Sequence, residues 1–248
     1  MAQTMAAINE VAEEEELKVI EAPEYPKIET AFNRDKESYK VKLDEIRLKE
    51  YDLINTWIIT EKIDGTNVRI HLDYKYGLRY CGRTNKANLD PDLVLWLQDN
   101  LPMYKVAKVF EPKLDVILFG EGYGGKIQRA KIPYRREPKF RLFDILITRS
   151  NGNSLWLEWE DVQSIAGTLG IECVPVLGEA KSLEEALTYL EEPSVVSMED
   201  SNISRDLEGI VARTVPQLFT RTGKRLMWKL KRSDFDTINL ESGEVILC

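Results

Sequence analysis

Residues 57–72 read WIITEKIDGTNVRIHL: an apolar, β-branched run, a tight polar turn, and a second run that alternates. Trp57–Thr60 predicts one strand. After a turn at Asp64–Gly65, Asn67–Leu72 predicts the next, with Val68, Ile70 and Leu72 on one face and Asn67, Arg69 and His71 on the other. Lys62 stands where the first strand meets the turn, so the turn points its side chain into a cleft. A lysine amine attacks only when deprotonated, a state that burial or nearby cations favour. Gly65 lets the backbone pass close to a nucleotide. Asp64 reads equally as a turn carboxylate bonding nearby N–H groups and as a direct catalytic part. Taken alone, K-x-D-G describes an ordinary surface hairpin equally well.

The rest of the chain extends the antiparallel pattern. Leu78–Cys81, Asp115–Phe119, Lys139–Thr148, Leu207–Arg213 and Arg225–Leu230 predict further strands. Asp90–Phe110 has Leu93, Leu97 and Leu101 at helical spacing and is broken by Pro102; Trp159–Leu169 and Ser182–Glu191 predict two more helices. Ser182 with Glu185 forms a capping box. These elements predict an α+β fold built on antiparallel sheets with flanking helices, without regular βαβ alternation. At 248 residues, the chain fits one large domain with at most a small appendage. Residues 1–24 hold seven glutamates and one lysine and read as an acidic flexible leader, leaving 25–248 as the domain.

Composition excludes several classes. No run approaches the roughly 20 apolar residues of a membrane span, and the N-terminus lacks the basic and apolar regions of a secretory signal. Three scattered cysteines, Cys81, Cys173 and Cys248, suit reduced thiols in a cytoplasmic setting and offer no metal signature. The single histidine, His71, excludes a His-rich metal site and reads as a polar strand position. Net charge is −8, yet its distribution matters more than its sum. Lys126, Arg129, Lys131, Arg135, Arg136, Lys139 and Arg141 fall in one run with a single acid, Glu137; Arg221, Lys224, Arg225, Lys229, Lys231 and Arg232 form a second. Two such runs in an acidic chain suggest a local phosphate-binding track, with RNA contacts at Lys126, Arg129, Lys131, Arg135 and Arg136.

Gly120, Gly122 and Gly125 match G-x-G-x-x-G after a strand, but Pro133 and Pro138 deny the helix a dinucleotide turn must open, so the match is the coincidence of a glycine-rich turn. Four other segments add weight to Lys62. Glu121 follows VILFG at a cleft edge. Phe140-Arg-Leu-Phe143-Asp144 offers aromatic faces for a base. Glu208 opens a strand with a carboxylate. Lys229 and Lys231, two apart, put two ammonium groups on one strand face.

In order, EKIDGTN, FGEGYG, FRLFD, LEGIVAR and WKLK resemble the five nucleotidyltransferase motifs of the covalent superfamily of ATP-dependent DNA ligases, RNA ligases and mRNA capping enzymes. EKIDGTN looks closest to ATP-dependent RNA ligases of the RNA ligase 2-like branch, and YPKIETAFNRD looks like the segment that opens phage and bacterial RNA ligases. DNA ligases carry an arginine shortly after K-x-D-G, whereas Arg69 falls too late and Asn67 stands in the RNA-ligase place.

The resemblance implies roles. Lys62 would attack the α-phosphorus of ATP and carry AMP. Glu61 would help recognise adenine, Asn67 and Arg83 would contact ribose and phosphate, Glu121 would hold the ribose hydroxyls, and Phe140 would stack on adenine, with Phe143 the alternative. Glu208 would bind Mg²⁺ or Mn²⁺, and Lys229 and Lys231 would neutralise the triphosphate. The implied partner is an RNA with 5′-phosphate and 3′-hydroxyl ends, in a bacterial or phage-infected cell. Only 17 residues follow Lys231, so no OB-fold is expected; the expectation is either a minimal ligase or one that works with a protein partner replacing a C-terminal substrate-binding domain. The alternatives are a DNA ligase, a GTP-using capping guanylyltransferase, or a non-catalytic nucleic-acid-binding protein with this fold.

Overall fold

The structure is a computed structural model and describes residues 22–127, 133–239 and 244–247. In chain order it contains β1 (Phe32–Arg34), β2 (Val41–Ile46), β3 (Trp57–Lys62), β4 (Thr66–Asp73) and β5 (Gly77–Cys81). Helices α1 (Pro91–Asn100) and α2 (Met103–Ala107) follow, separated at Pro102, then β6 (Asp115–Tyr123), β7 (Lys139–Thr148) and β8 (Ser154–Trp156). Next come α3 (Trp159–Thr168), β9 (Glu172–Cys173), β10 (Val176–Ala180), α4 (Leu183–Thr188) and α5 (Val195–Ser201). The last strands are β11 (Gly209–Arg213), β12 (Met227–Lys231), β13 (Phe235–Asn239) and β14 (Glu244–Leu247). Among the described residues no helix is long and apolar enough to cross a membrane.

Two sheets carry the architecture. One has strand order β10-β3-β11-β12, all antiparallel; the other runs β5-β4-β6-β7-β8, antiparallel throughout, with β9 added parallel to β7. The Asp64–Gly65 turn passes the chain from β3 in the first sheet to β4 in the second. A Cβ on Gly65 would lie 2.3 Å from the Gly122 carbonyl oxygen, so only glycine lets this turn lie against β6. Val68, Ile70, Leu118, Leu142 and Ile145 pack under the second sheet against Leu93, Leu97 and Val162 of α1 and α3. Beneath the first sheet, Trp57, Ile59, Ile210 and Trp228 join Phe32, Val41 and the α4 residues Leu183 and Leu187. The sequence-expected cap is present: Ser182 Oγ accepts from the Glu185 N–H at 3.1 Å, while the Glu185 carboxylate accepts from the Lys181 N–H at 2.7 Å.

Several expectations change. Gly120 and Gly122 lie inside β6, and the turn falls at Gly124 and Gly125, both at positive φ. The two strand glycines leave room for packing, since a Cβ would sit 2.2 Å from the Phe140 ring at Gly120 and 2.4 Å from Leu93 at Gly122. Most of the acidic stretch lies outside the described residues, but Ala22 is already buried against Ile117, Phe119 and Leu146, so the ordered chain begins before residue 25. Strands β1, β2, β8, β9, β10, β13 and β14 and helix α5 lie outside the expected elements; they are short and carry weak periodicity.

Candidate active site

Strand register gathers the charged groups. In the central strand, Gly209 pairs with Lys62 of β3 on one side and with Lys231 of β12 on the other; two residues along, Val211 pairs with Thr60 and Lys229. Glu208, just before β11, therefore lies between two lysines. Its carboxylate is 2.5 Å from Lys62 Nζ through one oxygen and 2.8 Å from Lys231 Nζ through the other. Both lysines and Glu208 are partly exposed, open to a cleft between the sheets of about 440 Å³. Across that cleft, Asn67 of β4 pairs with Glu121 of β6, and both line it, as do Arg83 and Asp64. The Asp64 backbone N–H donates to the Tyr134 hydroxyl at 3.1 Å, which pins the turn that follows Lys62.

The electrostatics follow from this crowding. Burial pushes the Glu121 carboxyl up to about 8, with Glu208 and Asp64 adding to the effect and Lys62 opposing it. Near neutral pH Glu121 is largely a protonated acid, able both to donate and to accept a hydrogen bond. Lys229 is shifted below the ordinary lysine range by burial and then by the neighbouring Lys62 and Lys231 charges; the hydrogen bond to Glu208 holds Lys231 above it. The Asn67 side-chain oxygen is buried with no hydrogen-bond partner, an acceptor waiting for a donor in the cleft. That orphaned acceptor, the hard oxygens of Glu208, Glu121 and Asp64, and the lysines together fit a phosphorylated nucleotide with a divalent cation.

Because the Glu121 carboxyl is raised, the folded chain holds a proton there that the unfolded chain releases above about 4.5. Its ionisation then works against folding increasingly as pH climbs toward 8. Glu121→Gln is therefore expected to raise the melting temperature more at pH 8.5 than at pH 5. An equal shift at both values in thermal melts would contradict the protonated state.

Not every sequence-predicted residue faces the cleft. Phe140 is fully buried under the second sheet, against Gly120 and Leu142, and does not present a face to a ligand. The residue facing the cleft is Phe143, and strand geometry gives the reason: residues 140 and 143 fall on opposite faces. Register passes from Phe119↔Asp144 to Gly120↔Leu142, leaving Phe143 as the extra residue of a β-bulge. Phe140→Ala should cost about 3–5 kcal/mol in denaturant unfolding, as for a buried aromatic. The Glu61 carboxylate is also turned away. It accepts from Ser194 Oγ at 2.5 Å and the Val196 N–H at 3.1 Å, tying β3 to the start of α5, so only the rest of Glu61 borders the cleft.

Sequence reasoning missed a wall. Tyr25, Pro26, Lys27 and Ile28 lie along the cleft, held there by pairing of Thr30 with Lys229. The Tyr25 ring sits 5.0 Å from Phe143, and its hydroxyl donates to Asp144 at 2.7 Å. Arg213 also lines the cleft, donating to the Phe143 carbonyl at 3.0 Å with its guanidinium 4.2 Å over Trp159. Long-range partners of this kind are not written in local patterns.

The basic runs divide. Arg129 and Lys131 lie outside the described residues. Lys126 and Arg136 are exposed, whereas Arg135 lies 3.8 Å from both Asp200 and Glu137. Lys139 bonds Asp200 at 2.9 Å and Glu172 at 2.8 Å, and the buried Arg141 reaches Glu199 and Glu172, each at 2.7–2.8 Å. In the second run, Arg225 is paired with Asp144 at 2.7 Å. Lys139, Arg141 and Arg225 are thus held in ion pairs, whereas Lys126 and Arg136 stay exposed.

The antiparallel two-sheet fold and its lysine-lined cleft define a ligase-type nucleotidyltransferase domain. The sequence profile of the RNA ligase family matches residues 55–231, and the chain belongs to that family. No curated protein matches it in sequence. Among solved structures it resembles a Naegleria gruberi RNA ligase variant with ATP and Mn, at TM-score 0.52 and 18% identity, covering 84% of this chain and 62% of that one. The same ligase with pyrophosphate aligns at TM-score 0.52 and 20% identity, covering 84% and 61%. An archaeal ATP-dependent RNA ligase aligns at TM-score 0.53 and 18% identity, covering 85% and 48%. The chain thus spans about half to three-fifths of the length of these proteins.

Proposed function

We propose that this chain is an ATP-dependent RNA ligase that forms a lysyl-AMP intermediate on Lys62, passes AMP to an RNA 5′-phosphate and joins that end to a 3′-hydroxyl. The observation that carries the reading is Lys62 held 2.5 Å from Glu208, whose other oxygen binds Lys231, at the mouth of a nucleotide-sized cleft. The Lys62 amine forms a bond to the α-phosphorus as the bond to the β-phosphate oxygen breaks, and pyrophosphate leaves. The proton shed by Nζ has Glu208 in hydrogen-bond reach as acceptor. Lys229 and Lys231 balance the leaving phosphates, since phosphoryl transfer is driven chiefly by positioning and charge neutralisation. When bound, Mg²⁺ or Mn²⁺ adds positive charge at the phosphates; Glu208 and Asp64 would hold it. Asn67 and the protonated Glu121 face the ribose, and Phe143 with Tyr25 borders the base.

Incubation with Mg²⁺ and each α-labelled NTP should leave label on the protein through denaturing electrophoresis with ATP alone. Labelling by GTP instead would favour a capping enzyme, and no label would remove the proposal. Offered nicks with RNA or DNA 3′-hydroxyl strands, the protein should seal the RNA; equal sealing of all-DNA nicks would sink the RNA assignment. Phe143→Ala should weaken ATP binding by about 1–3 kcal/mol, the scale of base–aromatic stacking. Unchanged affinity in calorimetry would place the base elsewhere.

A further inference from the structure

Far along β4 from Lys62, the second sheet carries a group of side chains that the ligation chemistry does not use. His71 and Asp73 lie two apart on one face of β4, and Asp115 opens the neighbouring β6, where Leu72 pairs with Val116. One ligand atom from each residue lies within 4.8 Å of the other two, and His71 and Asp73 are buried.

Their hydrogen bonds leave one buried Asp73 oxygen open, while the Arg79 guanidinium fills the space between the three residues. One Asp73 oxygen accepts from the Lys75 N–H at 2.8 Å and the Tyr76 N–H at 3.0 Å, which fixes the β4–β5 turn. The other Asp73 oxygen is buried with no hydrogen-bond partner; the nearest cation, Arg79 on β5, is 3.7 Å away. Asp115 accepts from the Tyr74 N–H at 3.2 Å through one oxygen. His71 Nδ1 faces Arg79 Nη2 at 2.9 Å, so its lone pair points at the same place.

We propose that His71, Asp73 and Asp115 form a second, structural metal site for one Zn²⁺ ion, seated where the Arg79 guanidinium now lies. Imidazole with two carboxylates suits Zn²⁺, whereas Mg²⁺ prefers oxygen ligands alone. Bonds of about 2.0–2.2 Å require the ligand atoms to draw together by small side-chain rotations, and the Arg79 side chain, a quarter exposed, has solvent to swing into. A bound ion would pin the β4–β5 hairpin to β6, at the end of the sheet opposite Asn67 and Glu121.

The test is titration of the nucleotide-free protein with Zn²⁺ in saturating Mg²⁺, read by calorimetry and by melting temperature. One Zn²⁺ per chain and a rise in melting temperature are expected. Asp115→Asn, which keeps the side-chain shape, should weaken Zn²⁺ by about tenfold or more, the scale of a disturbed metal shell. Arg79→Met, which deletes no ligand, should tighten it. No Zn²⁺-dependent rise, or a rise unchanged in Asp115→Asn, would overturn the site; an Arg79→Met affinity equal to wild type would overturn its placement. Co²⁺ should give d–d bands without thiolate charge transfer, and a thiolate band would assign the ion to a cysteine instead.

Discussion

Lys62→Ala protein, incubated with Mg²⁺ and α-labelled ATP, is expected to carry less than about a thousandth of the wild-type label, the order of loss that follows removal of a covalent nucleophile. The comparison is demanding because the cleft holds two other amines. Lys231 is hydrogen-bonded to Glu208, which keeps it an ammonium. Lys229 is the serious competitor, since burial and its cationic neighbours favour its free base. Its place is set by Val211 and Thr60, one row deeper than the Gly209 row that holds Lys62. Lys62→Arg separates charge from nucleophilicity: a guanidinium keeps the ion pair with Glu208 but stays protonated, so labelling should vanish while the melting temperature holds near wild type. Mass spectrometry of the labelled wild-type peptide should find AMP on Lys62. Residual label on Lys229 in the alanine variant would show that the nucleophile is chosen by proton affinity rather than by position.

What the sequence made legible was local. The alternation after Gly65 predicts β4, the apolar run before Glu61 predicts β3, and the two-residue spacing of Lys229 and Lys231 puts both on one face; the structure has all three. The meeting of Lys62 with Glu208, 146 positions apart, is invisible to periodicity and came only through resemblance of the ordered motifs. Where reasoning stayed within one segment but ignored period, it failed. Strand alternation already places Phe140 and Phe143 on opposite faces, so at most one can meet a ligand, and the apolar Leu142 beside Phe140 marks the buried side. The basic run was legible only in part. Arg141 and Lys139 are neutralised by Glu172, Glu199 and Asp200, residues 31–61 positions later, which no count of local charge reveals. The Tyr25–Ile28 wall is of the same kind, brought to the cleft by a bridge between Thr30 and Lys229.

Glu208→Ala should lower labelling by at least two to three orders of magnitude and, separately, alter the protein before any nucleotide arrives. One carboxylate here serves two ammonium groups at 2.5 and 2.8 Å, with Lys229 close behind. Removing it leaves three neighbouring cations to repel one another. Because these groups are partly exposed, the destabilisation should be modest and screened, so the deficit in melting temperature ought to shrink as salt rises from 0.05 to 0.5 M, where the Debye length falls well below 10 Å. Lys231→Met placed on Glu208→Ala removes one of the repelling charges and should recover part of that deficit without recovering any label, since the phosphates lose a cation as well. The two readouts therefore move apart. A double variant that regains labelling would mean that Glu208 acts only by holding Lys231. A Glu208→Ala protein that labels normally would remove the carboxylate from both proton transfer and metal binding, leaving the lysines alone to carry adenylation.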